Sequence, residues 1–480
     1  MSEPKIGVDQ WVEQYKERVS SKTGLAGLFQ QIGGRLPVWA WLILMVVIGF
    51  TLPLLTSNDL VIRIAGNVAL MGMLALGLNI VVGFSGLLDL GFVAFYGIGA
   101  YAYAYLSSNF TGIHLPTWET LILITVVSAL FGLLLGLPSL RLIGDYLAIV
   151  TLGFGQIFVQ LMTSMTRVSL PGSAKPVDLT GGPNGIVKLD PLRFFNFTAS
   201  SVTDYYLILL VALALMTLVV YHLYKSRVGR AWSALCEDEL AAEAMGMPTR
   251  RLKIQAFATG AAIAGLTGGL FAAWQGSVFP GNFDTTLLIT IYAIIVLGGL
   301  GSLPGVLLGS LIIIAVPDIL RNADLAGKLF YLAMLAMLAA TFKPRWQTGA
   351  LIIATGVFGV IVRAALLAIK PASFAPLAAT GSAFTDSING WLIIPTDATR
   401  AGNLAFTALI VLVLGVSRIK NRVWRFVVMI PTLYLLIFAW ETRLSQEPSV
   451  TRLLFVGVLL IVLMIYRPNG LLGQRRVEVI

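Results

Sequence analysis

Residues 61–105 read VIRIAGNVALMGMLALGLNIVVGFSGLLDLGFVAFYGIGAYAYAY, and this stretch decides the fold. Two apolar runs, near 61–82 and 91–107, flank the short break SGLLDLG. A helix that crosses a bilayer needs about 20 apolar residues, with about 17–25 the usual range. The stretch therefore reads as two membrane spans joined by a tight turn. The same reading gives further spans near 38–55, 118–138, 146–165, 205–224, 254–274, 286–300, 304–320, 329–342, 348–368, 403–417, 423–441 and 452–466. The runs at 286–300, 329–342 and 403–417 are short enough for half-helices, which membranes tolerate where protein or a watery cavity surrounds them. The expected fold class is all-α, a polytopic transmembrane helix bundle.

Composition agrees. Of 480 residues, 57% are hydrophobic and only 12% are charged. Soluble domains carry about 25% charged residues, and so few charges cannot cover a water-exposed surface. That excludes a soluble enzyme, a disordered chain and a nucleic-acid binder. The formal charge of +10 reports orientation and anionic lipid headgroups. One Cys, Cys236, permits no intrachain disulfide, and two distant His, His114 and His222, offer no zinc spacing. A P-loop for ATP is absent. No catalytic residue, cofactor or metal is expected.

Alternating the spans from an inside N-terminus places 21 Lys and Arg inside and 11 outside. That bias puts both termini in the cytoplasm. Residues 1–36 then form a cytoplasmic segment in which Trp11, Val12, Tyr15 and Val19 follow helical spacing. This reads either as an interfacial amphipathic helix or as a frayed tail.

Two loops stand out. The outside segment 166–203 carries the turn signals LPGS, GGPNG and LDPL. The inside segment 225–253 is the most charged in the chain and predicts one helix near 230–245, ended by Gly246 and Pro248. Trp232, Leu235, Cys236 and Leu240 are expected to face the bundle or the membrane. Glu237, Asp238, Glu239 and Glu243 point elsewhere. Such a helix is either a solvated connector or a peg for a groove on a partner.

Within 77–105, Asn79, Ser85 and Asp89 interrupt the apolar run, and Tyr96 and Tyr101 follow. Gly-broken segments with polar residues mark translocation sites in transporters. Asp89 is either embedded, facing a cavity or partner, or a helix cap near Gly91. Gln156 and Gln160 share a helix face, to line a path or bond a neighbouring helix. Gly132/Gly136, Gly265/Gly269, Gly301/Gly305 and Gly305/Gly309 are G-x-x-x-G pairs, suited to close helix packing.

Several stretches carry a family likeness. They are LALGLNIVVGFSGLLDLGFVAFYGIGAY (74–101), LRLIGDYLAIVTLGFGQI (140–157), LTGGPNGI (179–186), the long run from Gly229 to Ala272, IIVLGGLGSLPGVLLG (294–309) and YRPNGLLG (466–473). In order and spacing the chain resembles the M-type permease subunit of branched-chain amino acid ABC importers. The likeness covers roughly 60–321 and 452–473. It implies a bacterial inner-membrane permease for leucine, isoleucine and valine, with urea or short amides as the alternative cargo. It also implies two ATP-binding subunits inside, a homologous second permease, and a substrate-binding protein on the outer side. Arg230, Glu237, Glu239, Gly246 and Met247 match the family's cytoplasmic coupling segment. Asn79, Ser85, Asp89, Tyr96 and Tyr101 match the translocation path. The chain divides into a cytoplasmic segment 1–36, a permease core 37–321 with its coupling loop 225–253, inserted helices 322–450, and a final span and tail 451–480. The family offers no role for the insertion. A rival from another class is an ion-coupled secondary transporter, for which Asp89, Asp145 and Asp284 are the ionisable candidates.

Overall fold

A computed structural model describes residues 38–56, 58–139, 145–166, 168, 178–194, 197–319, 327–328, 330–332, 334–335, 338, 346–369, 391–392, 398–418, 422–446, 457 and 470–472. The segment 1–36, all but Gly457 of the run 452–466, and most of the C-terminal tail lie outside them. The chain forms two compact units, Met1–Ala315 with Val462–Ile480, and Val316–Ile461.

In the first unit, α1 is Val38–Leu55 and α2 is Asp59–Leu78, which continues as a π-helical turn over Asn79–Phe84. Then follow α3 (Phe92–Leu106), α4 (Thr117–Ser139), α5 (Asp145–Ser164), α6 (Val202–Lys225), α7 (Arg227–Glu237), α8 (Glu239–Ala244), α9 (Thr249–Gln275), α10 (Thr285–Gly298) and α11 (Leu303–Ser310). Among the described residues of the whole chain, eight helices are long and apolar enough to cross a membrane. The protein is a multi-pass helical membrane protein.

Its centre is α2 and α9, whose apolar windows are each 78% buried; the window in α5 is only 22% buried. Small residues let α9 occupy that centre. A Cβ on Gly99 of α3 would collide with the backbone of Gly265, and one on Gly268 would collide with the backbone at Tyr96. Gly132 of α4 lies against Phe257 and Ala261, and Gly298 lies against Gly305. Such close approach replaces the hydrophobic drive that lipid cannot supply. Ile149, Ile157, Leu134 and Val219 point outward, as lipid-facing side chains do.

One end of the unit carries short hairpins. Strand β1 (Ser107–Ser108) pairs with β2 (Ile113–His114), and β4 (Arg193–Phe194) pairs with β5 (Phe197–Thr198). Strand β3 (Ile186–Val187) pairs with β6 (Ser277–Val278), tying the loop before α6 to the end of α9. The Tyr103 hydroxyl donates to the Asp190 carbonyl at 3.0 Å, and His114 Nδ1 lies 2.5 Å from Asp190 Oδ2. The other end carries α7 and α8.

The second unit contains the short α12 (Val316–Ile319), helical residues among 327–338, α13 (Trp346–Ile369), α14 (Ala398–Arg418) and α15 (Arg422–Gln446). Its core gathers Tyr331, Leu392, Tyr434 and Ile437, with Trp391 and Phe358 edge-on to Tyr434. The Tyr331 hydroxyl donates to buried Glu441 at 2.7 Å.

Candidate functional site: a break between two spans, an aromatic box and a helical peg

The break between α2 and α3 is held at both edges by the α10–α11 segment. Asn79 is fully buried, and its Oδ1 accepts from the Gly301 N–H at 3.0 Å while Nδ2 has no partner. The Tyr292 hydroxyl of α10 donates to the Asp89 carbonyl at 2.6 Å. The Asp89 side chain caps the break: Oδ1 accepts from the Gly91 N–H at 2.9 Å, and Oδ2 is left without a partner. Asp89 is thus fully buried by protein and bonded within the turn near Gly91. It lies in the linker between two spans. Burial pushes its carboxyl up to about 7, against the hydrogen bond from Gly91, which pulls the other way. Ser85 is satisfied locally, donating to the Val81 carbonyl at 2.6 Å.

Tyr96 and Tyr101 lie elsewhere on α3, inside a box of rings. Phe283 is its centre, with ring centroids 5.6 Å from Tyr96, 6.0 Å from Tyr101, 6.0 Å from Phe158 and 6.3 Å from Phe271. Edge-on and tilted geometries at these distances are the favourable ones. Phe283 closes a 3-10 turn, Pro280–Phe283, between β6 and α10. The following helix has 14 residues, about 21 Å at 1.5 Å per residue, short of the ~30 Å of a bilayer core. The turn supplies the missing depth by dipping into the bundle. Gln156 Nε2 of α5 donates to Thr285 Oγ1 at 2.8 Å where α10 begins, so its bond is to a neighbouring helix. Asp284 is exposed and caps α10, accepting from the Leu287 N–H at 3.1 Å, which leaves it a structural role. The side chain of Asp145 is not among those described.

The loop after α6 departs from the single helix expected near 230–245. It is two helices, broken at Asp238, whose extended backbone (φ −156°, ψ 111°) lets its carboxylate accept from the Ala241 N–H at 3.0 Å. A new cap outcompetes the continuing helix. Trp232 and Leu235 are buried, whereas Leu240 is 78% exposed and Met245 81%, so of the two sides expected for Leu240 it does not take the bundle. Gly246, at φ +80°, ends α8 with its N–H on the Glu243 carbonyl. Arg230, Glu237 and Glu239 are exposed, and Met247 is half-buried. Arg230 donates to the Lys225 carbonyl at 2.9 Å, and Glu239 pairs with Lys253 at 2.5 Å. Trp232 anchors the loop, its Nε1 donating to the Leu252 carbonyl of α9 at 2.9 Å.

An apolar hollow of about 260 Å³ opens among α1, α2, α6 and α11, lined by Ile48, Leu52, Tyr206 and Leu307 among others. It offers a polar solute almost nothing and lies away from the box. Among the described residues, no cluster of His, Cys, Asp and Glu is arranged to hold a metal.

Sequence reading missed Phe283, Tyr292 and Met245. The signal for Phe283 was the FPGNFD turn just ahead of an undersized apolar run.

Residues 60–342 match the model of the branched-chain amino acid transport system permease component. The chain belongs to this permease family. Over 305 residues the permease is 38% identical to the high-affinity branched-chain amino acid transport system permease protein LivM of Salmonella typhimurium, covering 59% of this chain and 68% of that one. LivM of Escherichia coli is 37% identical with the same coverage. LivH of Salmonella typhimurium, a second permease protein of that named system, is 32% identical over 189 residues, 39% of this chain and 57% of that one. No solved structure matches the permease.

Proposed function

We propose that this permease is one of two homologous membrane subunits of an importer for leucine, isoleucine and valine, driven by ATP hydrolysis on partner chains. In this reading it sits in a bacterial inner membrane with both termini in the cytoplasm. Two ATP-binding subunits engage the α7–α8 peg, and a soluble binding protein delivers substrate to the hairpin end. The path runs past Asn79, Ser85, Asp89, Tyr96 and Tyr101. Arg230, Glu237, Glu239, Gly246 and Met247 belong to the docking peg.

The observation that carries the reading is the peg itself. Two large apolar side chains, Leu240 and Met245, stand exposed on a charged helix pair that Trp232 fixes to the central helix α9. Exposed apolar anchors with a polar rim are the pattern of a docking surface. Closure of the ATP-binding subunits pushes this peg and shifts the bundle between two states, which is linkage between a remote ligand and a two-state element.

The test is uptake into proteoliposomes by the assembled complex. Labelled leucine accumulates only with ATP inside the compartment that faces the peg, and labelled urea at the same concentration does not. Uphill solute movement by this chain alone, on an ion gradient and without nucleotide, would overturn the reading.

A further inference from the structure

We infer that Phe283 is the lid of a substrate chamber in which the hydroxyls of Tyr96 and Tyr101 are the polar contacts for a neutral amino acid with an apolar side chain. This rests on the permease reading and adds a site to it.

Three observations carry it. First, the Tyr96 and Tyr101 hydroxyls have no hydrogen-bond partner, although the residues are only 1% and 3% exposed. Buried hydroxyls are almost always paired, and an unpaired one is costly. Two of them in neighbouring turns of α3, packed against the same Phe283 ring, mark a place built for a visitor that brings its own polar groups. Second, the side chain filling that place comes from a short turn. Phe283 is 3% exposed and reaches in from the 3-10 turn Pro280–Phe283, whose other end, at exposed Gly281, has nothing within 4 Å of a Cβ position. A ring carried on a turn rather than a helix can move without unpacking a helix. Third, the chamber's chemistry selects its occupant. The five rings of Tyr96, Tyr101, Phe158, Phe271 and Phe283 carry no charge, so an ion with a net charge would lose its hydration uncompensated. An aliphatic side chain gains dispersion against the ring faces, an ammonium is drawn to their quadrupoles, and a carboxylate accepts from phenol O–H groups. A lipid tail would leave both hydroxyls unpaired.

Phe283 therefore fills the chamber, and substrate takes its place. Tyr96→Phe and Tyr101→Phe each lower leucine uptake about tenfold at subsaturating substrate, the value of one hydrogen bond to a charged group. Phe283→Ala makes liposomes preloaded with leucine leak at least tenfold faster than wild type without nucleotide. In a Cys236→Ser background, Phe283→Cys is labelled by a membrane-impermeant maleimide at least fivefold faster during turnover than at rest.

Absence of ATP-dependent leucine uptake by the wild-type complex overturns the parent reading, and the chamber with it. If wild type transports, but Phe283→Ala assembles and does not leak, or Phe283→Cys labels equally at rest and in turnover, the lid alone is overturned. Should Phe283→Ala fail to assemble, the labelling of Phe283→Cys decides. Wild-type uptake by both Tyr→Phe variants removes the hydroxyls from the site.

Discussion

Cys236 of α7 packs directly on Gly86 in the break between α2 and α3. A Cβ on Gly86 would lie 2.7 Å from the Cys236 sulfur and 3.2 Å from its Cα, and Gly86 sits at φ +72°. Nearby, Phe84 rests on Tyr224 with ring centroids 4.7 Å apart. The peg thus touches the linker between the two spans without an intermediary, and the fit requires a residue with no side chain in a left-handed conformation.

Gly86→Ala is expected to abolish ATP-driven uptake, or to lower the melting temperature of the purified complex by an amount worth about 1–3 kcal/mol. Cys236→Ser, smaller and nearly isosteric, keeps uptake within twofold of wild type. The double variant Gly86→Ala/Cys236→Gly recovers part of what Gly86→Ala loses. A strictly additive double variant in uptake and melting measurements would show that the two residues are not coupled.

Leu240→Asp and Met245→Asp are expected to release the ATP-binding subunits during co-purification while leaving the permease itself folded, because both side chains are exposed. Glu239→Lys sets two lysines against each other at the Lys253 pair and is expected to abolish uptake by weakening that docking. Normal association of the ATPase with all three variants would take the peg out of the docking surface.

Asp89 gives a pH dependence of defined sign. Its folded value of about 7 lies above the ordinary 3.8. The unfolded chain therefore gives up this proton first, and stability falls as pH rises from about 4 to about 7, then levels. Relative to wild type, Asp89→Asn should melt progressively higher across that window. Melting curves at pH 5 and pH 8 check this; an equal difference at both would mean the carboxyl titrates normally.

Two glycines separate packing from propensity. A Cβ on Gly99 would strike the Gly265 backbone, whereas one on Gly153 of α5 meets nothing within 4 Å. Gly99→Ala is expected to destabilise the permease by at least about 2 kcal/mol. Gly153→Ala is expected to stabilise it by about 0.4–1 kcal/mol. Thermal unfolding in one detergent compares them.

Hydropathy made the long spans legible. The expected runs at 61–82, 205–224 and 254–274 correspond to α2, α6 and α9 within a few residues at most ends. Burial by lipid and burial by protein look alike in such runs, so it was glycine spacing that pointed to close packing between neighbours, as Gly132 and Gly265 show. The break at Asp238 was hidden because Glu, Leu and Ala favour helix on both sides of it, and only the cap geometry decides. Phe283 was hidden for a different reason. A turn has no period: FPGNFD marks a turn ahead of a short apolar run, but not which rings Phe283 meets in space. Asn79 and Asp89 were legible as polar interruptions, but not their tethers to Gly301 and Tyr292, which lie more than 200 positions away in the chain.

The indole of Trp232 is bonded to the carbonyl of Leu252, near the start of a helix that runs on to Gln275. That helix also carries Phe271, one wall of the box around Phe283. A displacement of the peg by an ångström is then handed to one unbroken rod roughly 40 Å long. If the peg takes a push from partner chains, as proposed, the same continuous helix links its base to the far wall, and both ends answer to one moving part.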